Sequence, residues 1–550
     1  MPSVPSAALG LLLLALPPAM RLRIDALFKP YDKPNVPGCA LGVFRDGRLA
    51  YGRGYGWADL ERAVPITTAT LFDIGSTSKQ FAAASIALLA EDHKLAFTDD
   101  VRQYIPELPD YGHVITIDNL MRHTSGLRDY AGLLDLAGHG LEEATTDSQA
   151  LALIVRQRQL NFPTGSRYEY SNTGYFLLSV IVQRVSGQPL ADFARDRIFR
   201  PLGMRHTRYR NRYAMLIPDR ALGYAPQGTG AFVNSMSNWE QTGDGAVHLS
   251  VEDALKWDEN FYHPRVGGQW MVDQLQARGT LANGDSIAYA RGLFVHPYRG
   301  LRRVEHGGDW IGYHTAYARF PDQHTSIIVL CNSDGISPDE LGDRVADIVL
   351  AKQFPTPPHH SPSRDHPTVA SATPIAMSRL VGSYFEDTTS EVLRVVGKDS
   401  ALILQASGRS FPLQRTGPSN FSVTGLPASV AFSVDGEGPA HALRLRVLDE
   451  DRPQAVRFTP AIPDTTALRP YAAAYHSDEL DVTWTLILAN NHLVLTGTRS
   501  DIAGPLDPAQ PDAFTSPGGY LQFTRNAAGH VTGFDLSASR MRGIHFDRVH

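Results

Sequence analysis

An unbroken apolar run over 38–44 and a second strand-like run over 49–56 predict two strands, with Asp46-Gly47 supplying a turn between them. An alanine- and leucine-rich stretch over 76–92 predicts a helix. A second helical pattern covers 173–186 and stops at Gly187, a natural C-cap. A third starts near Ser250, which is followed three residues later by Asp253, a weak relative of the capping box. Strand patterns return over 316–320 and 325–330, and a last helix covers 339–350. Strands at both ends with helices between them predict one antiparallel sheet completed by both ends of the domain.

From 353 to 375 the periodicity dissolves into Pro, His, Ser and Thr, the composition of a linker. Short strands dominate afterwards. Residues 380–404 have a counterpart over 468–495, and each copy ends in an alternating strand near Phe458 or Phe546. This approximate repeat predicts two small antiparallel β-barrels or sandwiches, because many short strands need closure to hide their edges. The expected organisation is a signal segment over 1–20, an α+β domain over 21–352, a linker over 353–375, and barrels over 376–462 and 463–550.

Composition then narrows the function classes. With 550 residues, more than one core is required. A net charge of -6 and the lack of an Arg/Lys block argue against a nucleic-acid partner. The apolar stretch over 7–19 is too short for a membrane span and sits where a secretory h-region would. Export to the periplasm or medium is expected; the missing Lys or Arg ahead of the stretch leaves a cytoplasmic location as the alternative. Cys39 and Cys331, the two cysteines, lie in apolar strand-like runs and read as buried, unpaired thiols. Two cysteines make no zinc cluster, no compact His and Asp spacing suggests a metal, and no cofactor is expected.

Three motifs carry chemistry. Ser76 and Lys79 are three residues apart at a helix start, on one face, near N–H groups that favour developing negative charge. Tyr170-Ser171-Asn172 lies between a Pro-Thr-Gly turn and a helix, where side chains can enter a cleft. His306-Gly307-Gly308-Asp309 precedes a strand; its glycines would let a substrate lie alongside as an added strand.

In that order the motifs match serine acyl enzymes that use lysine and tyrosine in place of histidine and aspartate. The chain resembles the class C β-lactamase-related serine hydrolases over about residues 25–350, and 123–127, 163–165, 201–204 and 243–253 match further landmarks of that family. The likeness implies a β-lactamase/transpeptidase-like catalytic domain, with an antiparallel sheet flanked by helices. The two-barrel tail and His-x-Gly, where β-lactamases have Lys-Thr-Gly, are most similar to the D-stereospecific aminopeptidases. That resemblance implies a peptidase or amidase acting on small peptide or amino-acid amide substrates. A carboxylesterase, or a penicillin-binding protein with weak β-lactam or DD-peptidase activity, is the alternative. A homo-oligomer is compatible with either. The polar segment 497–511 is a candidate for the loop that, in the aminopeptidases, reaches the cleft from the last domain.

Ser76 is the expected nucleophile. Tyr170 is expected to act as base and then acid with Lys79 holding its charge state, or else neutral Lys79 takes the serine proton; the coupled groups leave both open. The family likeness implies that Asn172 bonds Lys79 and the substrate amide. His306, partly charged near neutral pH, would add to the positive field. Gly308 frees the strand, and the Ser76 and Asp309 N–H groups would hold the oxyanion.

Overall fold

The computed structural model describes residues 15–355 and 374–549, except 399–400, 407–408, 425, 427, 448–449 and 461–462. Most of the expected signal segment and of the linker thus lies outside the described residues. The chain falls into two compact units, one within Met1–Leu127, Gly140–Ala152 and Phe162–Pro357, the other within Arg128–His139, Leu153–Asn161 and Pro358–His550.

The first unit is built on a six-stranded antiparallel sheet. Its main elements are α1 (Pro18–Phe28), β1 (Cys39–Arg45), β2 (Arg48–Tyr55), α2 (Lys79–Glu91), α3 (Asn172–Ser186), α4 (Val251–Glu259), β3 (Phe294–Tyr298), β4 (Leu301–Trp310), β5 (Tyr313–Phe320), β6 (Thr325–Cys331) and α5 (Pro338–Val349), with further helices and short strands between them. The strand order is β3-β4-β5-β6-β1-β2, so the N-terminal hairpin pairs with the last strand, as the pattern predicted. Every residue of β6 is buried, as befits a strand covered on both faces. Helices α1 and α5 cover one face through Ile24, Phe28, Leu341 and Val345 against Leu41, Val43, Ile327 and Val329. Leu16 joins the same core, and Pro18 opens α1 at a position where its missing N–H costs nothing. Residues 16–20, expected to be leader, are therefore part of this unit. Helix α2 is buried from Lys79 to Leu89 and so is apolar nearly all round, which explains its Ala and Leu content.

The cysteines correct an expectation. Cys39 and Cys331 face each other directly across the β1–β6 pair and form a disulfide. Two strand-like runs predicted burial, but only the register of strands 292 residues apart brings the sulfurs together.

The second unit contains two barrels. Eight strands from Gly382–Glu386 to Glu450–Phe458 close on themselves, with Ser383 opposite Phe458. Nine strands make the second, nearly closed sheet; Tyr475 pairs Arg548, and the two edge strands, Gly504–Pro505 and Asp507–Pro508, are separated only by Leu506. The repeat is structural: Tyr384 Oη donates to Leu380 O (2.7 Å) and Tyr475 Oη to Tyr471 O (2.8 Å), each returning to the helical turn that opens its barrel. Segment 497–511, with Ile502, Leu506 and Ala509 buried, belongs to the second sheet. Segments 128–139 and 153–161 also belong to this unit. The fully buried Arg128 guanidinium donates to Glu479 Oε2 (2.8 Å), Gln157 Oε1 (2.8 Å), Arg542 O (2.8 Å) and Gly543 O (3.0 Å). Among the described residues no helix is long and apolar enough to cross a membrane.

Candidate active site

Ser76 stands in a 3₁₀ turn, Gly75–Ser78, that runs into α2. Gly75 has φ +48°, a conformation other residues adopt with strain, and its N–H is held by Asp73 Oδ1 at 2.9 Å. The turn presents Ser76, partly exposed, between buried neighbours. One turn on, the buried Lys79 donates to Ser76 Oγ (3.0 Å), Asn172 Oδ1 (2.9 Å) and Asp244 O (2.8 Å). These acceptors come from three separate elements and fix the Nζ without leaving it a search among rotamers. Asp244 follows Gly243, whose φ of +102° and approach to Tyr175 O leave no room for a Cβ.

Asn172 is the first residue of α3, and its side chain goes to Lys79 instead of capping the helix. Tyr170 precedes it, with its ring centroid 4.8 Å from Lys79 Nζ, a cation–π distance. The loop holding Tyr170 is zipped to the loop holding His123. Glu169 N donates to His123 O (2.9 Å), Gly165 N to Thr124 O (2.8 Å), and Ser171 N to His123 Nδ1 (3.1 Å). The His123 ring lies 4.2 Å from the Tyr170 ring, and its backbone takes φ +57°, a strained choice that the surrounding bonds enforce. His123 was a family landmark without an assigned role; its position makes it the residue that shapes the Tyr170 loop.

The His306-Gly307-Gly308-Asp309 motif occupies the end of β4. Two-residue turns close the hairpins at Tyr298↔Leu301 and Trp310↔Tyr313. Bonded and non-bonded pairs alternate from such turns. Both counts agree that Leu301, Arg303 and Glu305 bond towards β3, and His306, Gly308 and Trp310 towards β5. The N–H and C=O of Gly307 and Asp309 therefore point to the edge beyond Phe294, which no described strand covers. A Cβ built on Gly75 would lie 3.1 Å from Asp309 N, so that N–H borders the turn carrying Ser76.

Two expectations about this motif need correction. The motif predicts that Gly308 makes room for substrate, but a Cβ there would lie 2.0 Å from Ile74 O: the glycine lets β4 pack against the turn before Ser76. The sequence predicts a partly charged His306 that adds a positive field. Burial, with Lys79 nearby, lowers its pKa to about 4, so the ring is neutral at pH 7. Gly307 O can only accept, so the 2.5 Å contact makes His306 Nδ1 the protonated nitrogen, and Nε2 accepts from Tyr289 Oη at 3.0 Å. Tyr289, wholly buried and with its phenol pKa pushed far up by burial, stands edge-on to Tyr170 at 6.2 Å. Nothing in the pattern around Tyr289 singled it out. Its role follows only from the aromatic layer that His123, Tyr170, Tyr175 and His306 build together.

Fold and site together give an α+β domain in which a buried lysine lies at hydrogen-bond distance from a serine at a helix start. The chain belongs to the Beta-lactamase family, whose model matches residues 24–352. It is 30% identical over 462 residues to penicillin-binding protein 4* of Bacillus subtilis, covering 80% of this chain and 98% of that one. It is 26% identical over 554 residues to a D-aminopeptidase of Cereibacter sphaeroides, covering 96% of this chain and all of that one. The octameric penicillin-binding protein homologue from Pyrococcus abyssi has the same fold, with a TM-score of 0.56 at 21% identity over 80% of this chain and 99% of its own.

Proposed function

We propose that the chain is a serine hydrolase of the D-aminopeptidase type, acting on small peptide or amino-acid amide substrates through an acyl-enzyme on Ser76. The observation that carries this reading is the Lys79 Nζ bridge joining Ser76 Oγ to Asn172 Oδ1, with the Asp309 N–H beside the same turn. Ser76 Oγ attacks the substrate carbonyl while its proton passes to the Tyr170 phenolate or, in the alternative microstate, to neutral Lys79. The tetrahedral oxyanion lies between the Ser76 and Asp309 N–H groups. The C–N bond then breaks as the same proton goes to the leaving amine, and water repeats the sequence to release the acid and restore Ser76. Asn172 steers Lys79 and accepts or donates to the substrate amide.

Similarity to the D-aminopeptidase across nearly the whole of both chains, barrels included, favours amide substrates over simple esters. The neutral His306 argues against penicillins as substrates, since it supplies no cation for their carboxylate. An esterase remains the second reading. Export to an oxidising compartment is part of the proposal; a disulfide in a chain with only two cysteines suits it. A turnover screen of D- and L-aminoacyl amides, short esters and a chromogenic cephalosporin, with Ser76→Ala beside the wild type, tests it: preference for D-aminoacyl amides supports the reading, and preference for esters replaces it with the second.

A further inference from the structure

The tip of the β4–β5 hairpin carries a charged clamp centred on His314, a residue outside the catalytic motifs. His314 stands directly across from Asp309, and its Nδ1 lies 2.7 Å from Asp309 Oδ1. Its Nε2 lies 3.1 Å from Asp334 Oδ1, in the segment after β6. Ionised carboxylates only accept, so a ring bonded to one through each nitrogen must carry both protons. Asp334 is itself anchored: Oδ1 accepts from Gly312 N (2.6 Å), and Oδ2 from Ser235 Oγ (2.8 Å). At Gly312 a Cβ would meet Ser235 O at 2.0 Å, so the turn is pressed against that loop.

We propose that His314 is a positioning residue: its imidazolium, clasped between Asp309 and Asp334, fixes the strand end whose Asp309 N–H borders the turn carrying Ser76, and its deprotonation loosens that N–H and slows acylation. The proposal rests on the reading that Asp309 N–H helps hold the oxyanion. Asp309 from β4 and Asp334 after β6 are the charged groups that face the ring. Hydrogen bonds to both outweigh partial burial and raise its pKa to about 9. A neutral imidazole can donate to one carboxylate only; the other then meets a lone pair, and the clasp opens. Because the folded pKa is raised, the clasp is intact below the unfolded value near 6.5 and is lost as pH rises through about 9.

The test uses the full chain. The acylation rate constant is followed from pH 6 to 10.5 with a chromogenic ester, alongside NMR titration of the His314 ring in ¹⁵N-histidine-labelled protein, assigned through His314→Gln. In wild type, acylation should fall roughly tenfold along a limb that coincides with the ring titration, with KM little changed. That loss is smaller than the ~100-fold or more for losing an oxyanion donor outright. Asp334→Asn should move both the titration and the limb down together by about one pH unit or more, whereas His314→Gln should remove that limb and leave the slower rate at all pH values. Circular dichroism checks that both variants fold. A ring titration that moves in Asp334→Asn while the acylation limb stays put overturns the proposal, as does a His314→Gln profile identical to wild type. Failure of the underlying reading looks different: no acyl adduct on Ser76 in the quenched wild-type enzyme at any pH.

Discussion

Gly307 and Gly308 are neighbours with opposite tolerances. At Gly308 an added methyl meets the Ile74 carbonyl at 2.0 Å and must push β4 away from the Ser76 turn; at Gly307 its nearest neighbours are 3.5 Å away. Gly308→Ala should therefore cost about 1–3 kcal/mol of stability and roughly 100-fold in kcat/KM through the displaced Asp309 N–H. Gly307→Ala should stay within about tenfold, a contrast that thermal melts and kinetics on the two variants would check. His306 makes a second prediction at this scale. Replacing it by lysine would put a second cation beside Lys79 in a layer of tyrosines, so His306→Lys should lose stability and activity on every substrate instead of gaining penicillin turnover. A rise in the penicillin-to-ester ratio of kcat/KM would contradict it. Because the folded His306 pKa is lowered to about 4, its proton does not shape the activity between pH 6 and 9.

At the scale of elements, the disulfide ties β1 to β6, the pair through which the N-terminal hairpin joins the sheet. Replacing both cysteines by serine should lower stability by about 2–4 kcal/mol and leave kcat at 25 °C nearly unchanged, because the link stands on the sheet and not at the Ser76 turn; denaturant melts and steady-state kinetics measure both. The elements were largely legible in the sequence because their signals are local. Gly187 caps α3 at φ +75°, and Ser250 Oγ caps α4 through Asp253 N at 3.2 Å, where the pattern put them. Ser76, Lys79 and Asn172 stood out for the same reason, since spacing and a helix start are local properties. What the sequence hid depends on contact between distant segments: the Cys39–Cys331 register, the carbonyl that makes Gly308 necessary, and the burial that neutralises His306.

Across the whole molecule, the two units do not divide at a single point of the chain. Sequence patterning put the boundary after residue 352, yet segments 128–139 and 153–161 fold with the barrels. Arg128, Gln157 and Arg158 meet Glu479, and Asn161 meets Arg540 and Arg542. A chain ending at Gln353 keeps all six strands but strips the buried Arg128 of Glu479 and of the Arg542 and Gly543 carbonyls. Breaking a buried pair from one side costs about 3–5 kcal/mol. The truncated protein should therefore be destabilised, with limited proteolysis cutting first within 128–139 and 153–161; a melting temperature equal to that of the full chain would contradict this.

The central claim is an acyl bond on Ser76, and mass spectrometry of the enzyme quenched during turnover of a D-aminoacyl ester or amide tests it most directly. The account predicts an added acyl mass on the peptide containing Ser76, released on standing and absent in Ser76→Ala, which should fold but not turn over. An acyl group found on another residue, or wild-type turnover by Ser76→Ala, would contradict it.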